Sequence, residues 1–129
     1  MAQKAYAADA LRLAQANENF RQVLYTTERS QLVLMTLRPG EEIGEEVHEA
    51  TDQVLAFVAG QGEAVIEGER QPVRAGSVVV VPAGTRHNFI NTGGTTLRLI
   101  TVYTPPEHPD GTVHPTKAEA EEYEREHHH

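Results

Sequence analysis

An all-β barrel or sandwich of the jelly-roll kind is the fold class this sequence predicts, and three observations predict it. Short apolar or β-branched runs follow one another through the middle of the chain. Each is cut by a corner rich in glycine or proline, which is how antiparallel strands are punctuated. At 129 residues, 39% apolar and 23% charged, the chain has the size and make-up of one ordinary globular domain able to bury its own core.

The elements follow in order. Ala7–Asn19 reads as a short helix or ordered arm, with Ala8, Leu11 and Ala14 as a thin apolar stripe. The expected strands are Phe20–Thr26, Gln31–Leu37, Glu45–Val47, Gln53–Val58, Glu63–Glu67, Ser77–Val81, His87–Ile90 and Thr95–Tyr103. Their corners include Arg38-Pro39-Gly40, Ala59-Gly60-Gln61-Gly62, Pro82-Ala83-Gly84 and Thr92-Gly93-Gly94. Eight short strands with such corners suit a jelly roll. Ser77–Val81 is apolar without alternation and should be covered on both faces. Beyond Tyr103, Pro105, Pro106 and Pro109 lack the donor a ladder needs, so the barrel should end there. Thr116-Lys117-Ala118-Glu119 has capping-box spacing and opens a short acidic helix from Lys117 to about Glu126. The expected organisation is therefore an arm over 1–19, a barrel over 20–104, a Pro-rich tail and helix over 105–126, and a purification-tag remnant over 127–129.

Charge and composition exclude several functions. The formal net charge is -8, and the eleven basic residues are scattered, so a nucleic-acid partner is disfavoured. No stretch has the apolar length of a membrane span, and the absence of cysteine removes disulfide and thiolate chemistry. A cytoplasmic location and no membrane partner are the resulting expectations. Neither a phosphate-cradling loop nor a nucleophile elbow is present.

Two motifs carry the chemistry. In the first, Gly40 is followed by five residues, Glu46, Val47, His48, four residues, Gln53, six residues and Gly60. In the second, Gly76 is followed by five residues, Pro82, one residue, Gly84, two residues, His87, three residues and Asn91. Glu46 and His48 lie two apart and on an extended strand share one face. Gln53 shares its face with Leu55 and Phe57, and His87 shares its face with Phe89. If these faces all line the barrel, a small polar cluster stands against an apolar wall, as small-molecule and metal sites are built. Alone, Glu46 and His48 among Glu41, Glu42, Glu45 and Glu49 would read as a solvated acidic edge.

In both motifs the chain resembles the cupin superfamily, over roughly Gly40 to Asn91, and more loosely the small single-domain cupins called mannose-6-phosphate-isomerase-like. The resemblance implies a jelly-roll β-barrel and a metal held at the positions of Glu46, His48, Gln53 and His87, where cupins usually carry His, His, Glu and His. It also makes a homodimer the expected assembly, with Phe20–Thr26 pairing against a partner barrel. Here the carboxylate stands at the first position rather than the third, and Gln53 offers only a neutral carbonyl. Two histidines and a carboxylate suit iron, and manganese, nickel or zinc would accept the same donors. Gln53 is either a fourth ligand or a residue that orients Glu46 or a bound water. Asp52 is a rival carboxylate, which the spacing and the strand face disfavour.

The functional expectation is a metal-binding protein acting on a small polar substrate such as a carboxylate, an enolisable carbonyl or a sugar-like molecule. Dioxygenase chemistry is favoured over isomerase or lyase chemistry, with no catalytic residue assigned. The alternative is a non-catalytic binding or sensing module with a structural metal or none. His108 and His114 read as parts of an exposed tail or dimer contact rather than a flap over the barrel mouth, and Tyr25 is a candidate for a hydroxyl in the lumen. Gly76, Pro82, Gly84 and Asn91 read as corner residues, and Phe57, Phe89, Leu55, Met35 and Tyr103 as core.

Overall fold

The computed structural model describes residues 3–127; Met1 and Ala2 of the expected arm, and His128 and His129 of the expected tag remnant, lie outside the described residues. The elements run α1 (Ala10–Ala16), β1 (Arg21–Thr26), β2 (Gln31–Leu37), β3 (Asp52–Ala59), β4 (Gln61–Ile66), β5 (Glu69–Arg74), β6 (Val78–Val81), β7 (His87–Ile90), β8 (Leu97–Thr104), β9 (Val113–His114) and α2 (Lys117–His127). They form a six-stranded sheet in the order β6-β3-β8-β2-β1-β9 and a three-stranded sheet in the order β5-β4-β7. All pairings are antiparallel. This is the expected all-β, jelly-roll architecture with a short helix at each end.

Alternation decides what faces inward. On β8, Leu97, Leu99, Thr101 and Tyr103 are buried while the residues between them are half-buried. On β3 the buried set is Gln53, Leu55 and Phe57. Phe89 of β7 meets Phe57 at a ring separation of 5.8 Å, which joins the smaller sheet to the larger. The interior is thus apolar at one end (Leu37, Phe57, Phe89, Leu97, Leu99) and polar at the other (Gln53, His87, Thr101, Tyr103).

Backbone approach explains the glycines that matter most. A Cβ on Gly62 would lie 2.2 Å from the Ile90 carbonyl oxygen. Asn91 is 1% exposed. It clamps the neighbouring loop, donating to the carbonyls of Leu37 and Thr95 at 2.9 Å and accepting from Gly93 N–H. The corner reading of Asn91 is therefore correct.

Several expectations are corrected. Glu45–Val47 is not a strand; Glu46 forms only an isolated bridge with His87. The run at Ser77–Val81 is not covered on both faces, because β6 is an edge strand and Val78 and Val80 are 62% and 63% exposed. The strand buried on both faces is β2, whose outer side packs under α1 and the Asn17–Thr36 hydrogen bonds. Strand β5 was not expected, because Glu69, Arg70, Pro72 and Arg74 lack a strand signal. As the edge of its sheet it needs no donor at Pro72 on the outer side.

The tail is not an exposed appendage. Residues Val113 and His114 pair with β1 as β9, and His114 is 8% exposed. That pairing occupies the outer edge of β1 at Arg21 and Gln22, and Val23 N–H donates to the Thr112 carbonyl, so strand pairing with a second copy would have to begin beyond Val23. The Tyr25 hydroxyl does not enter the lumen. It donates to the Lys4 carbonyl, and its ring stacks on Tyr6 at 4.8 Å. Helix α2 starts where the capping box places it, with Glu119 N–H bonded to the Thr116 hydroxyl at 3.1 Å. No helix among the described residues is long and apolar enough to cross a membrane.

Candidate metal centre

The backbone brings the two motifs together before any side chain is considered. Glu46 and His87 exchange N–H···O=C bonds at 2.9 Å in both directions. Two residues on, the His48 carbonyl accepts from Gly84 N–H at 2.8 Å, within the Pro82-Ala83-Gly84 corner. The segment Glu46–His48 is thereby held along the start of β7 without being a regular strand. In this arrangement Glu46, His48 and His87 each offer one donor atom, and those atoms all lie within 4.8 Å of one another. Such a set can hold a metal ion.

Each imidazole is oriented by a partner on its far nitrogen. His87 is 2% exposed. Its Nδ1 lies 2.9 Å from the Thr85 carbonyl oxygen. A carbonyl only accepts, so Nδ1 carries the proton and the Nε2 lone pair is left free. His48 has its Nδ1 3.4 Å from a Glu107 carboxylate oxygen and its Nε2 3.6 Å from a Glu46 oxygen. Carbonyl and carboxylate partners of this kind orient metal-binding histidines.

Glu107 belongs to the tail and is placed there by Gln31, the buried first residue of β2. The Gln31 amide oxygen accepts from the N–H groups of Glu107 and His108 at 3.3 and 3.0 Å, and its amide nitrogen donates to the His108 carbonyl at 2.7 Å.

Gln53 is 1% exposed on the inward face of β3. Its amide nitrogen donates to the Thr101 hydroxyl at 3.0 Å, which leaves the amide oxygen without a partner. Asp52 has a different task, since its carboxylate accepts from Ala83 N–H at 2.8 Å and braces the corner before His87.

Five buried side-chain polar atoms among the described residues have no hydrogen-bond partner: Arg21 Nε, His48 Nε2, Gln53 Oε1, His87 Nε2 and His108 Nε2. Leaving such atoms unpaired costs about 1–3 kcal/mol each. Two of the five are the histidine donors of the Glu46–His48–His87 set, and Gln53 is the remaining residue that the sequence nominated. Two imidazole lone pairs and a carboxylate are the donor types a divalent transition metal accepts.

The surroundings tune these groups. Burial would pull His48 down, but the nearby carboxylate of Glu46, with help from that of Glu107, outweighs it and holds His48 above the ordinary histidine value. Burial, followed by the charge of Arg21, drives His108 down to about 3, so its imidazole is neutral at physiological pH. Burial pushes the Tyr103 phenol up, which keeps its proton in place. The Tyr103 ring stands edge-on to His48 at 5.8 Å and to His108 at 5.0 Å.

Sequence reasoning nominated Glu46, His48, Gln53 and His87, and the structure brings the three ionisable members together. It missed Glu107, Arg21 and the inward role of His108. Each lies outside the two motifs, and none stands in a pattern that would single it out.

The cupin domain family matches residues 33–103, which include both motifs. The chain is a cupin. Among its relatives, the uncharacterized protein YrkC of Bacillus subtilis is 44% identical over 115 residues, covering 84% of this chain and 62% of that protein. This cupin therefore spans less than two thirds of that relative's length. The crystal structure of BH2720 from Bacillus halodurans superposes with a TM-score of 0.91 at 35% identity, covering 92% of this chain and 95% of that one. A predicted oxalate decarboxylase from Thermotoga maritima superposes with a TM-score of 0.58 at 28% identity, over 61% of this chain and 69% of that one.

Proposed function

We propose that this cupin is a metalloprotein whose centre is held by Glu46, His48 and His87, with Gln53 as fourth ligand or as the orienter of a bound water, and that it acts on a small polar substrate. The observation that carries this reading is the convergence of the three donor atoms within 4.8 Å, with both histidine Nε2 atoms buried and unpartnered. A divalent cation bound there would supply Lewis-acid chemistry or, as iron, oxygen activation.

The protein's own residues would do the rest. Thr85 and Glu107 would fix the two imidazoles, and the unpartnered amide oxygen of Gln53 would be the fourth donor or the hold on a water. The aromatic ring of Tyr103 would form an apolar wall beside His48. Dioxygenase chemistry is favoured over isomerase or lyase chemistry, because two histidines and one carboxylate with open positions suit non-haem iron. A homodimer remains part of the proposal. The second reading, a binding or sensing module, draws its support from Gln53, whose amide is already committed to Thr101 through its nitrogen.

The test is metal content of tag-free protein prepared without a metal column, for wild type and His87→Ala. Stoichiometric metal in the wild type that disappears in a folded His87→Ala variant is expected. Absence of metal from both would sink the metal centre and leave the binding module. Oxygen uptake by iron-loaded protein with 1,2- and 1,3-dicarbonyl compounds then tests the dioxygenase assignment; no uptake counts against it.

A further inference from the structure

Arg21 stands out among the buried groups because the metal-centre reading does not use it. It opens β1, is 4% exposed, and stands in register between Met35 of β2 and His114 of β9. One guanidinium nitrogen lies 3.3 Å from His114 Nδ1, a neutral acceptor, while Nε has no partner. None of the ion pairs among the described residues involves it. The guanidinium carbon also sits 5.3 Å from the centre of the Phe20 ring. That contact steadies the group but does not neutralise it.

A guanidinium stays charged when buried, and a charge taken out of water without a counter-ion is costly. Such an arrangement is retained where something anionic arrives to complete it. Arg21 lines a cavity of about 210 Å³ together with Glu46, Phe20, Ile43 and Lys117. Arg21 and one of the metal-ligand candidates, Glu46, therefore line the same space. The acids that also border it, Glu45, Glu121 and Glu124, are exposed, so water and salt weaken their charges without removing them: Glu124 still acts on Tyr103 and His114. The charge of Arg21 reaches Tyr103, His108 and His114 on the inner wall, where at Tyr103 and His114 it acts against the charges of nearby glutamates.

We infer that Arg21 is the anchor for a carboxylate of the substrate, so that this cupin takes a small carboxylic acid held by Arg21 at one end and presented to the Glu46–His48–His87 centre at the other. The guanidinium fork matches a carboxylate in two parallel hydrogen bonds, a geometry no ammonium or amide reproduces. The inference rests on the proposed metal centre for the ligand's far end, but the anion anchor itself does not need the metal.

The experiment is a calorimetric titration of wild type, Arg21→Gln and Arg21→Lys, each with and without manganese. The probes are oxalate, malonate and succinate, the methyl half-ester of succinate, and inorganic phosphate. Metal stoichiometry is measured separately on the same samples. Expected is a dicarboxylate that binds manganese-loaded wild type at least tenfold more tightly than the half-ester. In Arg21→Gln that affinity should fall roughly tenfold to a hundredfold with metal content unchanged, since hydrogen bonds to charged groups are worth this much. Arg21→Lys, which keeps the charge and guards against loss of fold, should recover only part of it. Arg21-dependent binding without any bound metal would uphold the anchor and overturn the metal centre. Full metal loading with equal dicarboxylate affinity in all three proteins would overturn the anchor and leave the metal centre standing. Tighter Arg21-dependent binding of phosphate than of any dicarboxylate would overturn the carboxylate assignment.

Discussion

Replacing Glu107 tests whether the tail is a working part of the proposed metal centre. The Glu107 carboxylate lies 3.4 Å from His48 Nδ1 and its side chain is 33% exposed. Removal of such an outer partner commonly costs tenfold to a hundredfold in metal affinity. The separation is longer than the 2.7–2.9 Å typical of a strong charge-assisted bond, and the site is partly wet, so the lower end applies. Glu107→Ala should weaken metal binding by roughly tenfold, equivalent to about 1.4 kcal/mol. Glu107→Gln, which keeps an oxygen for Nδ1–H, should lose roughly threefold. Because Gln31 holds the backbone at Glu107 and His108, neither variant should release the tail or lower the melting temperature appreciably. The assay is competition for manganese or zinc against a chromophoric chelator at fixed pH and ionic strength. An affinity for Glu107→Ala within twofold of wild type would refute the claim that the tail orients His48.

Three further outcomes follow from burial and backbone geometry. His108 is held down to about 3 when folded, against an ordinary value of 6.5 when unfolded, so the unfolded chain takes up this proton first as pH falls. The stability tied to its neutrality is complete above pH 6.5 and is lost progressively between 6.5 and about 3. His108→Phe should flatten that loss, by under about 1 kcal/mol per pH unit because the side chain is only partly buried, as urea midpoints between pH 7.5 and 5 would show. Gly62→Ala should cost about 2–3 kcal/mol, since its Cβ would meet the Ile90 carbonyl at 2.2 Å. Gly68→Ala, at φ +83 with nothing within 4 Å, should cost only about 1 kcal/mol in the same urea measurement.

The division between what could and could not be read from the chain follows the physics of each signal. Alternation along β3 and β8 survives in the sequence because one face of each is buried, and the glycine and proline corners survive because few other residues take those backbone angles. Glu46, His48 and His87 were legible through the resemblance of both motifs to those of cupins, although Glu46 sits on a single backbone bridge rather than in a strand. Strand β5 was hidden by charges and Pro72, which only an edge position permits. The tail was misread because its prolines do rule out a long ladder, yet leave room for the two-residue β9. Arg21 and Glu107 could not be found, since their meaning comes from which segments fold against which. The exposed face of β6 was misjudged for a related reason: Val78 and Val80 look like core until the sheet order makes them an edge.

The paired amide bonds between Glu46 and His87 carry a thermodynamic consequence. In miniature zinc domains the cation must gather its own donors, and its affinity is spent on ordering the chain. Here that ordering belongs to barrel formation, so the metal-free polypeptide should already display the finished geometry. Cation uptake should then be rapid, leave amide-exchange protection nearly untouched, and show up as tight retention rather than as acquired fold.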